Sequence, residues 1–447
     1  MPIVSSNRLY DICVYGATGF TGRLASLYLA TSYPTVLFAI SGRDPIKLNK
    51  VAAEVNELLL PSSSKVGVFA TDDMTLVARS AKIIISTAGP FLSFGEALVE
   101  ACINEGTHYC NISGEPLFFK LMEERYGEKA RAKGVILAMM CGFDSIPADL
   151  CTYLAAHKAK EELHVSIESA RAYVSMRGSA SGGTIATFFN SMRHPQRKRE
   201  KDPMFLNVST GNAEGSVSFT SDSVSYPQKS EFASGFMEVP FIMSPINTRI
   251  VRRSASYFAS LNNTKDRYSP PSKSFEYSEV GLRPSSWKVW MSHIMDSIQF
   301  FLLYWIPGFA RLAQYYLVPK PGQGPSDEDI IAKNYFHYLV VAKTSEAQPR
   351  RVIVKMSGAD AGYADTAVML VESGLCLAFH LKDIREHVQN VGGLHTPATA
   401  FGIILVNRLI ASKRVKFEYV ADTKDAIDLA LQSKRVSSLK VTEVGRR

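Results

Sequence analysis

Motifs for metal or redox-thiol chemistry are missing from this 447-residue chain. Its six cysteines, Cys13, Cys102, Cys110, Cys141, Cys151 and Cys376, include no Cys-x-x-Cys pair. Neither a zinc site nor a thioredoxin-like motif is therefore indicated, and no metal ligands are assigned. Several cysteines lie inside apolar runs, as Cys13 does in Ile12-Cys13-Val14, which reads as buried free thiols in a reducing compartment. Repeats of solenoid period and low-complexity tracts are absent too. Met1 to Tyr10 holds no charged-then-apolar signal, and Val444-Gly445-Arg446-Arg447 matches no peroxisomal or ER address, so an intracellular setting is expected. No apolar run reaches the roughly 20 residues that span a bilayer. A net charge of +8 favours anionic ligands or an acidic lipid surface, but no nucleic-acid recognition module accompanies it.

What is present is globular. Hydrophobic residues make up 46% and charged residues 21%, and the length predicts two domains. In the first third, six short apolar runs alternate with helical spacing: Asp11–Tyr15, Val36–Ile40, Val66–Phe69, Ile83–Thr87, His108–Ile112 and Val135–Met140. Such alternation predicts an α/β fold, a doubly wound parallel Rossmann sheet over residues 1–150 with its ligand crevice beyond the carboxyl ends of the strands.

The first run leads into Gly16-Ala17-Thr18-Gly19-Phe20-Thr21-Gly22. Glycine at 16 allows the turn, at 19 the approach of a pyrophosphate, and at 22 close helix–sheet packing. The helix start offers free N–H groups to phosphates, and the hydroxyls of Thr18 and Thr21 add donors beside Phe20. At the end of the second run stands Arg43, where an acid would favour NAD; its fork of donors suits a 2′-phosphate, so NADP(H) is preferred. Asp44 follows, which keeps NAD(H) open. Asp72 and Asp73 after the third run either meet the adenine side or cap a helix. Gly89 and Pro90 after the fourth run are expected on the nicotinamide side.

These segments, with His108-Tyr109-Cys110-Asn111-Ile112-Ser113-Gly114-Glu115, Gly142-Phe143-Asp144-Ser145-Ile146-Pro147-Ala148-Asp149, Ser181-Gly182-Gly183-Thr184 and Gly392-Gly393-Leu394-His395-Thr396-Pro397-Ala398, resemble the saccharopine dehydrogenase-like oxidoreductases. The resemblance covers most of the chain. It implies kinship with trans-acting enoyl reductases of lipid synthesis and with members found on membranes and lipid droplets. Cys110-Asn111 stands where many relatives have valine and aspartate, so Asn111 cannot serve as a base there.

Beyond about Leu163 the alternation ends. His164–Tyr173, Tyr335–Thr344 and Arg350–Ser357 read as strands, the last two as a hairpin. They predict an α+β substrate domain with a mixed sheet over 151–395, with 396–447 returning to the first domain. Gly182–Met192 reads as a helix. The Arg197, Lys198, Arg199, Lys201 run reads as a solvated loop or an anionic-membrane contact. The apolar segment 287–318, densest at Ile298–Phe309, carries Trp287, Trp290, Tyr315 and Tyr316 with Lys288, Arg311 and Lys320 nearby. A buried core or homodimer helix competes with a hairpin dipping into a lipid monolayer, and the resemblance favours lipid. Candidate proton donors or oxyanion stabilisers are Tyr109, Ser113, Glu115 and Asp144, each with a packing or capping role as the alternative. The expected function is NADP(H)-dependent hydride transfer to or from a hydrophobic, lipid-like substrate at a membrane or lipid droplet. A catalytically silent cofactor-binding scaffold is the alternative, and saccharopine or amino-acid dehydrogenation a second one. The latter needs cationic anchors for substrate carboxylates, and the sequence places no such cluster.

Overall fold

The structure, a computed structural model, describes residues 8–178, 187, 191, 194–208, 217, 221–261, 268–270, 273–306, 334–387 and 392–432. Six strands follow the predicted apolar runs: β1 (Tyr10–Tyr15), β2 (Phe38–Gly42), β3 (Gly67–Ala70), β4 (Ala81–Ser86), β5 (His108–Asn111) and β6 (Ile136–Ala138). Between them run α1 (Phe20–Ser32), α2 (Pro45–Leu58), α3 (Met74–Ser80), α4 (Phe91–Phe94), α5 (Glu96–Glu105) and α6 (Pro116–Lys133). All pairings are parallel, in the order β6-β5-β4-β1-β2-β3. The strands are largely apolar at their centres because helices cover both faces. Ile12 and Val14 face one core cluster and Cys13 the other, as the two-residue strand period requires.

After α7 (Ile146–Leu163) comes a second, mixed sheet. It holds β7 (Ile167–Arg177), β8 (Gln228–Lys229), β9 (Phe236–Val239), β10 (Glu276–Pro284), β11 (Tyr335–Thr344), β12 (Arg351–Gly358) and β14 (Lys416–Val420), in the order β14-β12-β11-β7-β10-β9-β8. The predicted hairpin is β11–β12, antiparallel from Phe336↔Gly358 to Lys343↔Arg351. Phe336, Tyr338, Val340 and Ala342 point into the main core, while Leu339 and Val341 meet Ile427 and Leu431 of the helix Lys424–Gln432 on the other side.

The return to the first layer begins at Ala364, upstream of the expected Thr396. The helix Ala364–Phe379 packs on α1 and on β4 and β5, because its side chains from Asp365 through Leu377 are buried and need cover around most of their circumference. Then β13 (Gly393–His395) joins β6 as a seventh parallel strand, and only β14 goes back to the second sheet. The two layers thus share chain in both directions, which places the loops after β4, β5 and β6 beneath elements of the second sheet.

Arg197–Lys201 lies in a 3-10 turn, Pro195–Lys201, with Arg199 bonded to Glu124. Of the expected Gly182–Met192 helix only Thr187 and Ser191 are described, both helical, and Tyr315, Tyr316, Arg311, Lys320 and Pro307 to Phe309 fall outside the described residues. The aromatic part that is described forms the helix Trp287–Trp305. Val289 is its anchor, packed with Met237 and Val239. Trp287, Trp290, Met291, Ile294, Met295, Ile298 and Phe301 are exposed. Among the described residues no helix is long and apolar enough to cross a membrane.

Candidate functional site

The glycine loop joins β1 to α1 as predicted. Gly16 has φ +86°, a left-handed backbone that favours glycine, and a Cβ there would sit 2.9 Å from Thr87 Oγ1. At Gly22 a Cβ would meet the Gly16 carbonyl at 2.3 Å, so the fold itself demands glycine there. Gly19 differs: its Cβ would meet only the Gly16 oxygen, at 3.2 Å. Its bareness leaves room on the outer side of the loop rather than inside the fold. Gly19 is also the N-cap of α1, with no side chain capping the helix and no acid in its first turn. The free N–H groups there face the crevice with the positive end of the helix dipole. Phe20 and Thr21 open the helix, Phe20 edge-on to Tyr363 with centroids 5.2 Å apart. Thr18 lies against Gly42 at the end of β2.

The two halves of the crevice separate by strand order. On the β2–β3 side, Arg43 is exposed over the Phe94 ring, 5.9 Å from its centroid. Its charge and that of Asp72 act on the Tyr15 hydroxyl, so these three side chains share one locale. Asp44 accepts from the backbone N–H groups of Ile46 and Lys47, both at 3.1 Å, and is thereby occupied as the cap of α2. Asp73 likewise caps α3, accepting from Thr75 and Leu76. Of the two adjacent acids, the cap is Asp73, while Asp72 is exposed near Tyr15.

On the β4–β5–β6 side, Gly89 and Pro90 precede α4, and Thr187 Oγ1 comes within 3.4 Å of where a Gly89 Cβ would stand. Glu115 is bound here as a cap, accepting from Phe91 N at 2.7 Å and Leu92 N at 2.9 Å; burial pushes its carboxyl up to about 7. Ser113 Oγ accepts from Glu115 N, and Asn111 Oδ1 accepts from both Ser113 N and Met140 N. Asn111 therefore ties the β5 and β6 loops together, a task for an acceptor oxygen and not for a base. Tyr109 is fully buried in the core behind the sheet, with burial holding its hydroxyl well above the ordinary range. It is placed for packing rather than in the crevice.

Asp144 is the candidate that reaches the space between the layers. Its Oδ2 lies 3.7 Å from the position of a Gly114 Cβ, beside Ile246, and its Oδ1 is covered without a hydrogen-bond partner among the described residues. Burial raises its carboxyl to about 7. Behind it, Glu279 of β10 is fully buried and raised to about 8, first by burial. Glu279 Oε1 accepts from Tyr338 Oη at 2.5 Å and Asn247 Nδ2 at 3.0 Å. Tyr338 Oη lies 3.2 Å from Tyr277 Oη, and Phe143 packs edge-on against Tyr338 and Phe336. Sequence reasoning missed Glu279, Tyr338, Tyr277 and Asn247; the one local signal was an acid amid the buried apolar run of β10.

Buried arginines of this region are consumed in ion pairs, Arg252 and Arg249 with Asp222 and Arg253 with Glu123. Among the described residues no cationic cluster is left at the Asp144 end for a substrate's several carboxylates, and no His, Cys, Asp or Glu group is gathered for a metal ion.

No family model matches the chain. A Mycobacterium tuberculosis (strain H37Rv) protein provisionally named a trans-acting enoyl reductase is 31% identical over 429 residues, covering 92% of this chain and 97% of its own. The trans-acting enoyl reductase of Mycobacterium ulcerans is 31% identical over 421 residues, covering 91% and 96%. Among solved structures, apo saccharopine dehydrogenase (L-Glu forming) from Saccharomyces cerevisiae is similar over 92% of this chain and all of that one, at 12% identity and a TM-score of 0.45.

Proposed function

This chain belongs to the family of the trans-acting enoyl reductases, and from that premise we propose an NADP(H)-dependent reductase of a hydrophobic, acyl-type substrate held at a lipid surface. The carrying observation is the division of labour at the end of β2. Asp44, the acid that directly follows Arg43, is engaged as the α2 cap. Arg43 stands exposed with no acid paired to it among the described residues, which favours a 2′-phosphate. Gly16, Gly19 and the α1 N-terminus would hold the pyrophosphate, Asp72 the adenine side, and Gly89 and Pro90 the nicotinamide side. Bound there, the reduced nicotinamide supplies a hydride to a substrate carbon. The chain's own part is to bind and orient the two molecules and to supply a proton. The exposed face of Trp287–Trp305 supports attachment at a lipid monolayer, where an acyl substrate resides. Fluorescence titration tests the cofactor reading. Arg43→Asp should weaken NADPH by about 1–3 kcal/mol, the worth of a charged hydrogen bond, and leave NADH nearly unchanged. Equal weakening of both, or of neither, refutes it.

A further inference from the structure

Two buried carboxyl oxygens, Asp144 Oδ1 and Glu279 Oε2, have no hydrogen-bond partner among the described residues, and the same is true of Ser145 Oγ and Asn247 Oδ1. Orphaned polar atoms of this kind are costly in a fold and call for an explanation. They lie where the loop after β6 meets β10 and the helix Ser244–Ser260, at the nicotinamide end of the crevice. The two acids are not equivalent. Asp144 is mostly buried with a small accessible share, while Glu279 is sealed and fixed by two donors on Oε1. With Oε1 accepting from both Tyr338 and Asn247, the proton of a neutral Glu279 resides on Oε2, the oxygen left without a partner.

We propose that Asp144 is the proton donor in reduction of an α,β-unsaturated carbonyl substrate, with Glu279 a positioning residue that receives the resulting charge across the buried polar space between them. The proposal rests on the nicotinamide reading above. Hydride addition at the β carbon drives the double-bond electrons towards the carbonyl oxygen as an enolate. Those electrons then form a Cα–H bond with the Asp144 proton, and the carbonyl is restored. The substrate gains a hydride at the β carbon and a proton at the α carbon, the dihydronicotinamide is oxidised by two electrons as it gives up the hydride, and Asp144 is left as a carboxylate. In this proposal the neutral Glu279, close enough for its charge state and that of Asp144 to influence one another, stabilises that carboxylate until a proton from solvent restores the acid. A substrate bearing several carboxylates is disfavoured here, since among the described residues the walls present acids and the buried arginines are held in ion pairs. Groups that face Glu279 are Tyr338 on β11, Tyr277 on its own strand, Asn247 on the helix Ser244–Ser260, and the acids Asp222 and Asp144. The Arg252 guanidinium pairs with Asp222 and reaches the Tyr277 carbonyl.

The test uses the full-length protein, NADPH and a long-chain trans-2-enoyl thioester of N-acetylcysteamine. Asp144→Asn should lower kcat roughly 100-fold or more, within the range of general acid catalysis, and leave NADPH affinity unchanged. Glu279→Leu should lower kcat and move the alkaline limb of the pH–rate profile upward, and Glu279→Gln, which keeps a donor, should restore both. Independently of turnover, infrared spectra at pH 7 should show protonated-carboxyl bands, one lost in Asp144→Asn and one in Glu279→Gln. Undiminished turnover in Asp144→Asn overturns the proposal, as does the absence of those bands in the wild type. A wild type that binds NADPH but leaves the thioester untouched overturns the substrate class assigned here. One that does not bind NADPH overturns the cofactor reading itself.

Discussion

The exposed face of the helix Trp287–Trp305 permits a sharp test of lipid attachment. Met295 is 60% exposed and Phe301 58%, and both lie on the stripe that also carries Trp287, Met291, Ile294 and Ile298. Replacing both with glutamate touches no packed neighbour, so folding stability should change by less than about 0.5 kcal/mol per site. Full burial of such a side chain is worth about 1.5–3 kcal/mol, and the share still exposed, roughly three fifths, gives about 1–2 kcal/mol each. The pair therefore costs roughly 2–4 kcal/mol of lipid binding, a loss of about 30- to 700-fold in partitioning at 1.4 kcal/mol per decade. Flotation with phosphatidylcholine vesicles containing phosphatidylserine reads this directly, alongside a melting curve. Wild type should float, and Met295→Glu with Phe301→Glu should stay in the soluble pool with an unchanged Tm and intact NADPH binding. A folded double variant that floats like wild type refutes the assignment. So does a wild type that sediments as a dimer without lipid while the variant sediments as a monomer, because the stripe would then be a subunit contact.

The remaining expectations concern the glycine loop, the buried acids and a buried ion pair. Gly19→Val should abolish NADPH binding in fluorescence titration without lowering Tm, while Gly22→Ala, whose Cβ would stand 2.3 Å from the Gly16 carbonyl, should lower Tm itself; equal Tm values for the two would contradict the division made between them. Burial raises Asp149 and Asp365 to about 7 and Glu279 to about 8. An acid raised on folding binds more protons in the native than in the unfolded state, so stability should fall as pH rises. His108 and His395, depressed to about 4 by burial, act the opposite way only below their unfolded value near 6.5. Between pH 6.5 and 8 the acids act alone, and the urea midpoint should fall with pH, less steeply in Glu279→Gln; a rising midpoint would contradict this. Glu372 accepts from Tyr28 and Tyr33 at 2.7 and 2.6 Å and pairs with Arg408 at 2.9 Å. Glu372→Ala should destabilise by about 3–5 kcal/mol, the cost of stranding a buried charge, measured by urea denaturation; a loss under about 1 kcal/mol would show that Arg408 finds another partner.

How much of this was legible in the sequence follows from the range of the interactions involved. The Rossmann layer is written in local terms. Each strand is an apolar run a few residues long, each crossover has helical spacing, and the glycine loop is contiguous. Asp44 and Asp73 illustrate where local reading becomes ambiguous. An acid at a strand's carboxyl end serves equally as a cap or a ribose ligand, and only the positions of the Ile46, Lys47, Thr75 and Leu76 amides decide between them. Tyr109 shows a related ambiguity: its motif runs into the loop after β5, but its own side chain is fully buried in a core cluster.

The second layer is non-local by construction, and so is the chemistry it brings. β7 pairs in parallel with β10 about a hundred residues later, Ser169 opposite Glu276, and nothing near either strand announces the other. Glu279 is an isolated acid in a buried strand, a pattern whose ordinary meaning is a satisfied structural carboxylate. Its significance arises only when β10, β11, the helix Ser244–Ser260 and the loop after β6 converge, so that Tyr338 and Asn247 occupy one oxygen and leave the other bare near Asp144. Tyr338, by contrast, reads from sequence as one more aromatic in an alternating strand. The proposed pair therefore rests on the half-satisfied state of a fully sealed acid beside the one candidate proton donor that is not fully buried.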